Sequence, residues 1–231
     1  MKIGIFSDVH YSSQTLKCGV RKCSLSLGKL KRAYERFVRE GCGLCICLGD
    51  LIDRDGSREK DALHLREAGE VFRSSGIETL CVRGNHDAFT FGKDEYYRVP
   101  GITEPSDRIV CGKRLVFPDT CYFGDGTPYP PRDGDWTDCY FPGTDKLPDR
   151  LRGDFDEAVV FVHHNIDPAI PEDHRLANAD VMFDIIQKSG KVKTVYQGHY
   201  HTGKTSVYNG IKYVTLPAVC EREDAFYIIE I

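Results

Sequence analysis

The chain has 231 residues, 41% hydrophobic and 29% charged, with a formal net charge of -4. That size fits one large domain, residues 1–231, and is too long for a disulfide-stapled miniprotein. No apolar run approaches a membrane span, and the mild acidity argues against a broad nucleic-acid surface.

"MKIGIFSD" opens on a core strand over residues 2–7 rather than on the charged, apolar and cleavage regions of a secretory leader, which predicts a cytoplasmic location. Leu27, Leu30, Tyr34, Phe37 and Val38 then recur at helical spacing until Gly41 stops them. A second strand covers 44–49, where Cys45 and Cys47 alternate with Ile46 and Leu48. Thiols in that setting read as small core side chains, and Cys42-x-x-Cys45 has no second pair at zinc-ribbon spacing. A helix over about 59–74 and a third strand in "GIETLCVRG" follow. Alternating strand and helix predicts a largely parallel sheet.

Residues 88–157 break the alternation. They are rich in aromatics, Pro, Gly and Asp, with short strand candidates at 108–111, 114–117 and 120–123. The aperiodic run over 124–157 is expected to rim a site, as a lid or otherwise. Order returns with "AVVFVHH", a helix from near Asn178 to Gly190, and the strand "KVKTVYQG". "KTSVYNGIKYVTL" carries an Asn-Gly hairpin signal at Asn209 and Gly210, and "AFYIIEI" closes as a strand. These last strands are expected to build a second, mostly antiparallel sheet.

Five polar clusters follow five strands directly: Asp8 with His10, Asp50 with Asp53, Asn85 with His86 and Asp87, His163 with His164, and His199 with His201. Ligands of open α/β sheets bind beyond the carboxyl ends of the strands, so these clusters should converge on one edge. Each D-x-H or H-x-H pair alone is an ordinary loop feature; five in succession point to metal ligation. Carboxylate, imidazole and amide oxygen without thiolate suit manganese, iron, zinc or a similar ion. The groups are too many for one ion and suit two that share a bridge, the arrangement that clamps the attacking and leaving oxygens of a phosphoryl displacement. Two carboxylates against two divalent ions leave a net positive charge of about two to attract phosphate and ionise a bridging water. Asn85 fits that count, because it coordinates through a neutral oxygen.

In order and placement, "SDVH", "GDLID", "GNHD", "VHH" and "GHYH" resemble the D-x-H, G-D-x-x-D, G-N-H-D, H and G-H-x-H pattern of the calcineurin-like metallophosphoesterase superfamily over residues 6 to about 202. The resemblance implies a four-layer α/β/β/α sandwich of two mixed sheets flanked by helices. It also implies that Asp8, His10, Asp50 and His201 hold one divalent ion, manganese being favoured, while Asp50, Asn85, His163 and His199 hold the other. His86 would face the phosphate, oriented by Asp53, whose charge should raise the imidazole pKa. Arg54 would contact phosphate. Phe89, nearest the metals among Phe89, Phe91, Tyr96, Tyr97, Tyr122, Tyr129, Trp136 and Tyr140, would touch substrate, while most of these rings pack the second sheet. Counting from the first His favours His163 over His164 as ligand, although Asn165 stands where the family's H-x-P has proline. His64 and His174, outside the clusters, read as surface or cap residues.

Three further stretches, "RKCSLSLGKLKRAY", "GNHDAFTF" and "GIKYVTLPAVCE", are similar to the manganese-dependent ADP-ribose and CDP-alcohol diphosphatase group, from which Asp87 and residues 124–157 depart. The expected activity is hydrolysis of a small, nucleotide-like phosphodiester or pyrophosphate by attack of a metal-bridging hydroxide. A phosphomonoesterase or phosphoprotein phosphatase is the alternative within the same chemistry. A silent scaffold is a third reading, but such proteins typically lose the His ligands kept here.

Overall fold

A computed structural model describes residues 1–129 and 138–231, leaving Trp136 outside the described residues. The first half folds as its alternation requires. β1 (Lys2–Phe6), β2 (Leu44–Cys47) and β3 (Thr79–Cys81) lie parallel, pairing Ile3 with Leu44 and Cys45 with Thr79. The crossovers are α1 (Ser26–Arg39) and α2 (Arg58–Ser75). α1 buries Leu30, Tyr34 and Phe37 of the helical stripe read from the sequence, with Ala33 beside them, while Leu27 is half-buried and Val38 is exposed. Phe37 packs so closely on β1 that a Cβ at Gly4 would lie 2.8 Å from its ring. α2 starts at Ser57, whose hydroxyl accepts from the Lys60 N–H at 3.3 Å, and ends on left-handed Gly76.

After the short helices α3 (Asn85–Thr90) and α4 (Lys93–Tyr97) the chain enters a second sheet through β4 (Arg108–Val110) and β5 (Lys113–Val116). No strand forms over 120–123; Cys121 and Tyr122 make only isolated bridges, to Tyr140 and Pro128. The one-turn helix α5 (Leu147–Arg150) precedes β6 (Glu157–Phe161), and α6 (Ala179–Lys188) crosses to β7 (Val192–Gln197). The Asn-Gly turn joins β8 (Lys204–Tyr208) to β9 (Ile211–Thr215), with Asn209 and Gly210 both at positive φ.

Two expectations need correction. The second sheet, in order β4-β5-β6-β7-β9-β8, is parallel through β5, β6, β7 and β9 and antiparallel only at its two ends. A hairpin fixes only its own pair, and here its second strand docks parallel to β7. The closing strand β10 (Phe226–Glu230) does not join this sheet; it pairs antiparallel with β1, completing the first sheet as β10-β1-β2-β3.

Period-two alternation makes the layers. Ile3, Ile5, Ile46, Leu48, Val159 and Phe161 meet between the sheets, while Phe6 and Cys47 turn outward to α1 and α2, and Ala158 and Val160 to α6. The result is the four-layer α/β/β/α sandwich. Each fully buried large apolar side chain contributes roughly 1.5–3 kcal/mol, so this double-sided burial carries the fold. Phe91 and Tyr96 pack beside α1 and α2 rather than on the second sheet. All ten cysteines are free thiols, eight of them buried. Among the described residues no helix is long and apolar enough to cross a membrane.

Candidate active site

The five clusters leave β1, β2, β3, β6 and β7 and meet along one edge. The turns are tight, and Asp8, His10, Asp50 and His199 are held in the left-handed region at φ 56°, 45°, 51° and 66°. Each such residue costs on the order of 1–3 kcal/mol, and strain of this kind concentrates at functional sites. Close approach also requires glycine. A Cβ on Gly84 would fall 2.1 Å from Asp50 Oδ1, and one on Gly198 would fall 2.0 Å from Ser7 Oγ.

Asp50 sits at the centre. Its Oδ2 lies 3.5 Å from His10 Nε2 and 3.5 Å from His163 Nε2, and its Oδ1 accepts from the His86 backbone N–H at 2.9 Å. On one side, Asp8 Oδ1 lies 3.8 Å from His10 Nε2 and 3.5 Å from His201 Nε2, and these two nitrogens face each other at 3.1 Å. On the other, His163 Nε2 is 3.2 Å from Asn85 Oδ1, and the His199 ring centroid is 5.2 Å from that of His163. Ligand atoms of Asp8, Asp50 and His163 all fall within 4.8 Å of one another, as do those of His163, His164 and His199.

The hydrogen bonds behind the ring fix tautomers. His163 Nδ1 donates to the Leu48 carbonyl at 2.7 Å and His201 Nδ1 to Glu221 Oε1 at 2.6 Å, so in the neutral rings both Nε2 lone pairs point inward. Inward lone pairs facing carboxylate and amide oxygens repel unless a proton or a metal cation lies between them, and nitrogen and oxygen donors gathered from both sides of Asp50 are a set that divalent ions favour. The donor set therefore fits divalent ions. His164 turns its Nδ1 to Thr120 Oγ1 at 2.7 Å, while its buried Nε2 has no hydrogen-bond partner.

His86 and Asp53 form a second layer of the site. His86 Nδ1 donates to Asp53 Oδ1 at 3.1 Å, and the same carboxylate takes Lys17 Nζ at 2.7 Å and Arg21 at 3.3 Å. Arg21 also lies 3.5 Å from His86 Nε2 and lines the roughly 260 Å³ cleft together with Asp50, Asn85, His86 and His201. Arg54 stacks 5.0 Å over the Phe89 ring, which is 6.1 Å from that of His86. Arg54 and Phe89 are thus brought beside His86, but the cleft-lining guanidinium is that of Arg21.

Burial disfavours ionised Asp8 and Asp50, yet the surrounding imidazoles hold both well below the usual carboxylate range. Reciprocally, burial opposes the charge of His163, but Asp50 and Asp8 push it up to about 9. His86 runs against expectation. Burial and the neighbouring His10 outweigh Asp50 and Asp53, and its pKa is lowered. Asp87 is a buried bracket that accepts from the Leu51, Ile52 and Gly84 N–H groups, and burial beside Asp50 raises it to about 7.

Several site residues went unmarked in the sequence. Lys17 is a loop charge like many others until the fold aims it, and Arg21 and Glu221, at the ends of two of the stretches singled out by resemblance, were not marked there as site residues. His174 is not a remote cap: it lines the cleft, its ring 5.8 Å from that of His199. His64 is also not a surface residue, being buried with its ring 4.9 Å from Tyr11 and its Nε2 3.7 Å from Asp55.

The family model of calcineurin-like phosphoesterases matches residues 1–203. The chain belongs to this family. It is accordingly a metal-binding hydrolase acting on phosphate esters. Among solved structures it is similar to a dimetal phosphatase from Danio rerio, with TM-score 0.83, 17% identity, and coverage of 96% of this chain and 88% of that one. The protein TT1561 of Thermus thermophilus gives TM-score 0.62 at 13% identity, covering 95% and 90%. Phosphopantetheinyl hydrolase of Mycobacterium tuberculosis gives 0.61 at 14%, covering 99% and 95%. At these identities the likeness is one of fold. No curated protein matches the sequence.

Proposed function

We propose that this cleft hydrolyses a phosphodiester or pyrophosphate bond in a small, nucleotide-like substrate, with residues 1–231 acting as one catalytic domain. Asp8, His10, Asp50 and His201 would hold one divalent ion and Asp50, Asn85, His163 and His199 the other, manganese being the first candidate. The observation that carries this reading is the position of Asp50 Oδ2, equally 3.5 Å from His10 Nε2 and His163 Nε2, where one carboxylate serves both sides. Bound there, such ions supply Lewis acidity toward phosphoryl oxygens and lower the pKa of a water.

The chain's own groups do the rest. Asn85 adds an oxygen without adding charge, leaving the site net positive for phosphate. His86 presents Nε2 to the cleft while Asp53 fixes its Nδ1–H, the geometry for donating a proton or hydrogen bond to a leaving oxygen. Its lowered pKa means that the anionic substrate must help it keep that proton. Arg21, Arg54 and Phe89 are the candidates for contacting the remainder of the substrate. A cleft of about 260 Å³ has room for a phosphoryl group and part of its substituent.

The test is a screen of protein loaded with manganese, iron or zinc against ADP-ribose, CDP-alcohols, cyclic nucleotides, p-nitrophenyl phosphate and its bis ester. Turnover of a diester or pyrophosphate ahead of the monoester is expected. Preference for the monoester would replace this reading with a phosphatase, and a two-ion protein inert toward every compound would overturn the proposed substrate class.

A further inference from the structure

Lys29, in the first turn of α1, is a lysine with 1% of its surface exposed. Its Nζ donates to the carbonyls of Val219 at 2.9 Å, Arg222 at 3.1 Å and Cys220 at 3.5 Å, and lies 3.4 Å from Glu223 Oε1. Burying an ammonium is costly, and mostly neutral carbonyls are an unusual set of partners for one. What these carbonyls share is the turn that presents Glu221.

That turn is fastened to the site at several points. The Ala218 N–H donates to the His201 carbonyl, Val219 to Ser7 and Cys220 to Asp8, at 3.0, 3.1 and 3.1 Å. From it, Glu221 receives the His201 Nδ1–H at 2.6 Å. The two stretches concerned, "RKCSLSLGKLKRAY" and "GIKYVTLPAVCE", lie almost two hundred residues apart and are joined here through one ammonium.

We infer that Lys29 is a positioning residue for the ion held by Asp8, His10, Asp50 and His201: by gathering the carbonyls of Val219, Cys220 and Arg222 it fixes Glu221 between them, and Glu221 fixes the tautomer and direction of His201. This rests on the two-ion reading of the cleft. Without the ammonium the Val219 and Arg222 carbonyls lose their Lys29 donor while Cys220 keeps the Lys22 N–H at 3.0 Å. The backbone bonds to Ser7, Asp8 and His201 still hold the start of the turn, but its end at Arg222 loosens and Glu221 holds His201 Nδ1 less firmly. Outer partners of ligating histidines are worth about 10- to 100-fold in metal affinity.

The experiment measures manganese binding by calorimetry and by EPR titration on the full chain. Wild type, Lys29→Met, Lys29→Arg, Glu221→Gln and the double variant Lys29→Met/Glu221→Gln are compared, with circular dichroism to confirm folding. Lys29→Met is expected to weaken one of the two ions about tenfold or more and leave the other within a few-fold, with Lys29→Arg restoring part of the loss. The double variant should lose scarcely more than either single one, because both act through His201. Equal affinities in wild type and Lys29→Met, additive losses in the double variant, or weakening of both ions alike would overturn the inference. Should Lys29→Met fail to fold, Glu221→Gln and Lys29→Arg decide: unchanged affinity in both overturns it. Wild type binding fewer than two ions would instead sink the two-ion reading itself.

Discussion

Gly84→Ala isolates the steric demand of the centre. Gly84 has φ -101° and ψ 174°, extended backbone open to any residue, so the substitution carries no conformational penalty of its own. Its added methyl would stand 2.1 Å from Asp50 Oδ1 and 2.4 Å from the Asp50 backbone nitrogen. Neither atom can swing aside freely: Oδ1 is held by the His86 N–H at 2.9 Å, and Asp50 is already at φ 51°. The carboxylate must retreat by roughly 1 Å, a displacement that costs on the order of a hundredfold in turnover when it befalls catalytic groups. Overpacking of this kind also destabilises by about 1–3 kcal/mol. The assay is kcat/KM on the best substrate of the screen, read beside metal content and a denaturation midpoint. Gly92→Ala is the control, since a Cβ there meets nothing within 4 Å and φ is -62°; it should change stability by no more than about 0.5 kcal/mol. Full metal content and near-wild-type turnover in Gly84→Ala would refute the claim that the Asp50 carboxylate sits at the working centre.

Three further outcomes follow from the same geometry. His86→Ala should lower turnover by about 10²- to 10⁴-fold with metal content near that of wild type, because its Nδ1 is tied to Asp53 and it stands outside the proposed ligand set although its ring lies beside Asp50 and His10; elemental analysis beside steady-state kinetics checks both. Asp50→Ala should lose metal outright, which the same elemental analysis reads, and full occupancy would contradict its bridging position. Asp55 supplies a pH dependence away from the clusters: burial would raise its pKa, but Ser13, whose N–H donates at 2.9 Å, holds it below the ordinary value. Its stabilising contribution is therefore complete above the unfolded value of about 3.9 and is lost as pH falls through the folded one. Asp55→Asn should flatten the acid limb of the metal-free stability curve, and parallel curves for the two proteins would show that the carboxylate contributes nothing.

The parts of the site legible in the sequence were those whose signal is local. Asp8, Asp50, Asn85, His163 and His199 each follow an apolar strand, and a strand's end is readable from a few residues. What stayed hidden depends on distant packing. Arg21 and Lys17 converge on Asp53, and Glu221 on His201, only because loops far apart in sequence share one edge. The same holds for β10, whose alternation marks it as a strand without saying which sheet has a free edge for it, and for the parallel docking of β9 against β7. His64 and His174 were misread because an isolated histidine has no pattern, and its partners are contributed by other elements.

The departure at Asn165, where the family pattern has proline, shows how one local rule can be exchanged for another. Proline stiffens a loop by fixing φ, with no partner required. Asn165 reaches a comparable end through bonds: its Nδ2 donates to the Gly198 carbonyl at 2.9 Å, and its Oδ1 accepts from Thr215 Oγ1 at 2.8 Å. Gln197 closes the set, donating to Thr215 Oγ1 at 3.2 Å and accepting the Ile166 N–H at 2.5 Å. All three side chains are buried, so each lost bond leaves a polar group stranded at about 1–3 kcal/mol. A proline would stiffen the His163 loop alone. The amide network instead locks that loop to the one bearing His199 and His201, so the two halves of the proposed metal centre hold their spacing through a single buried cluster.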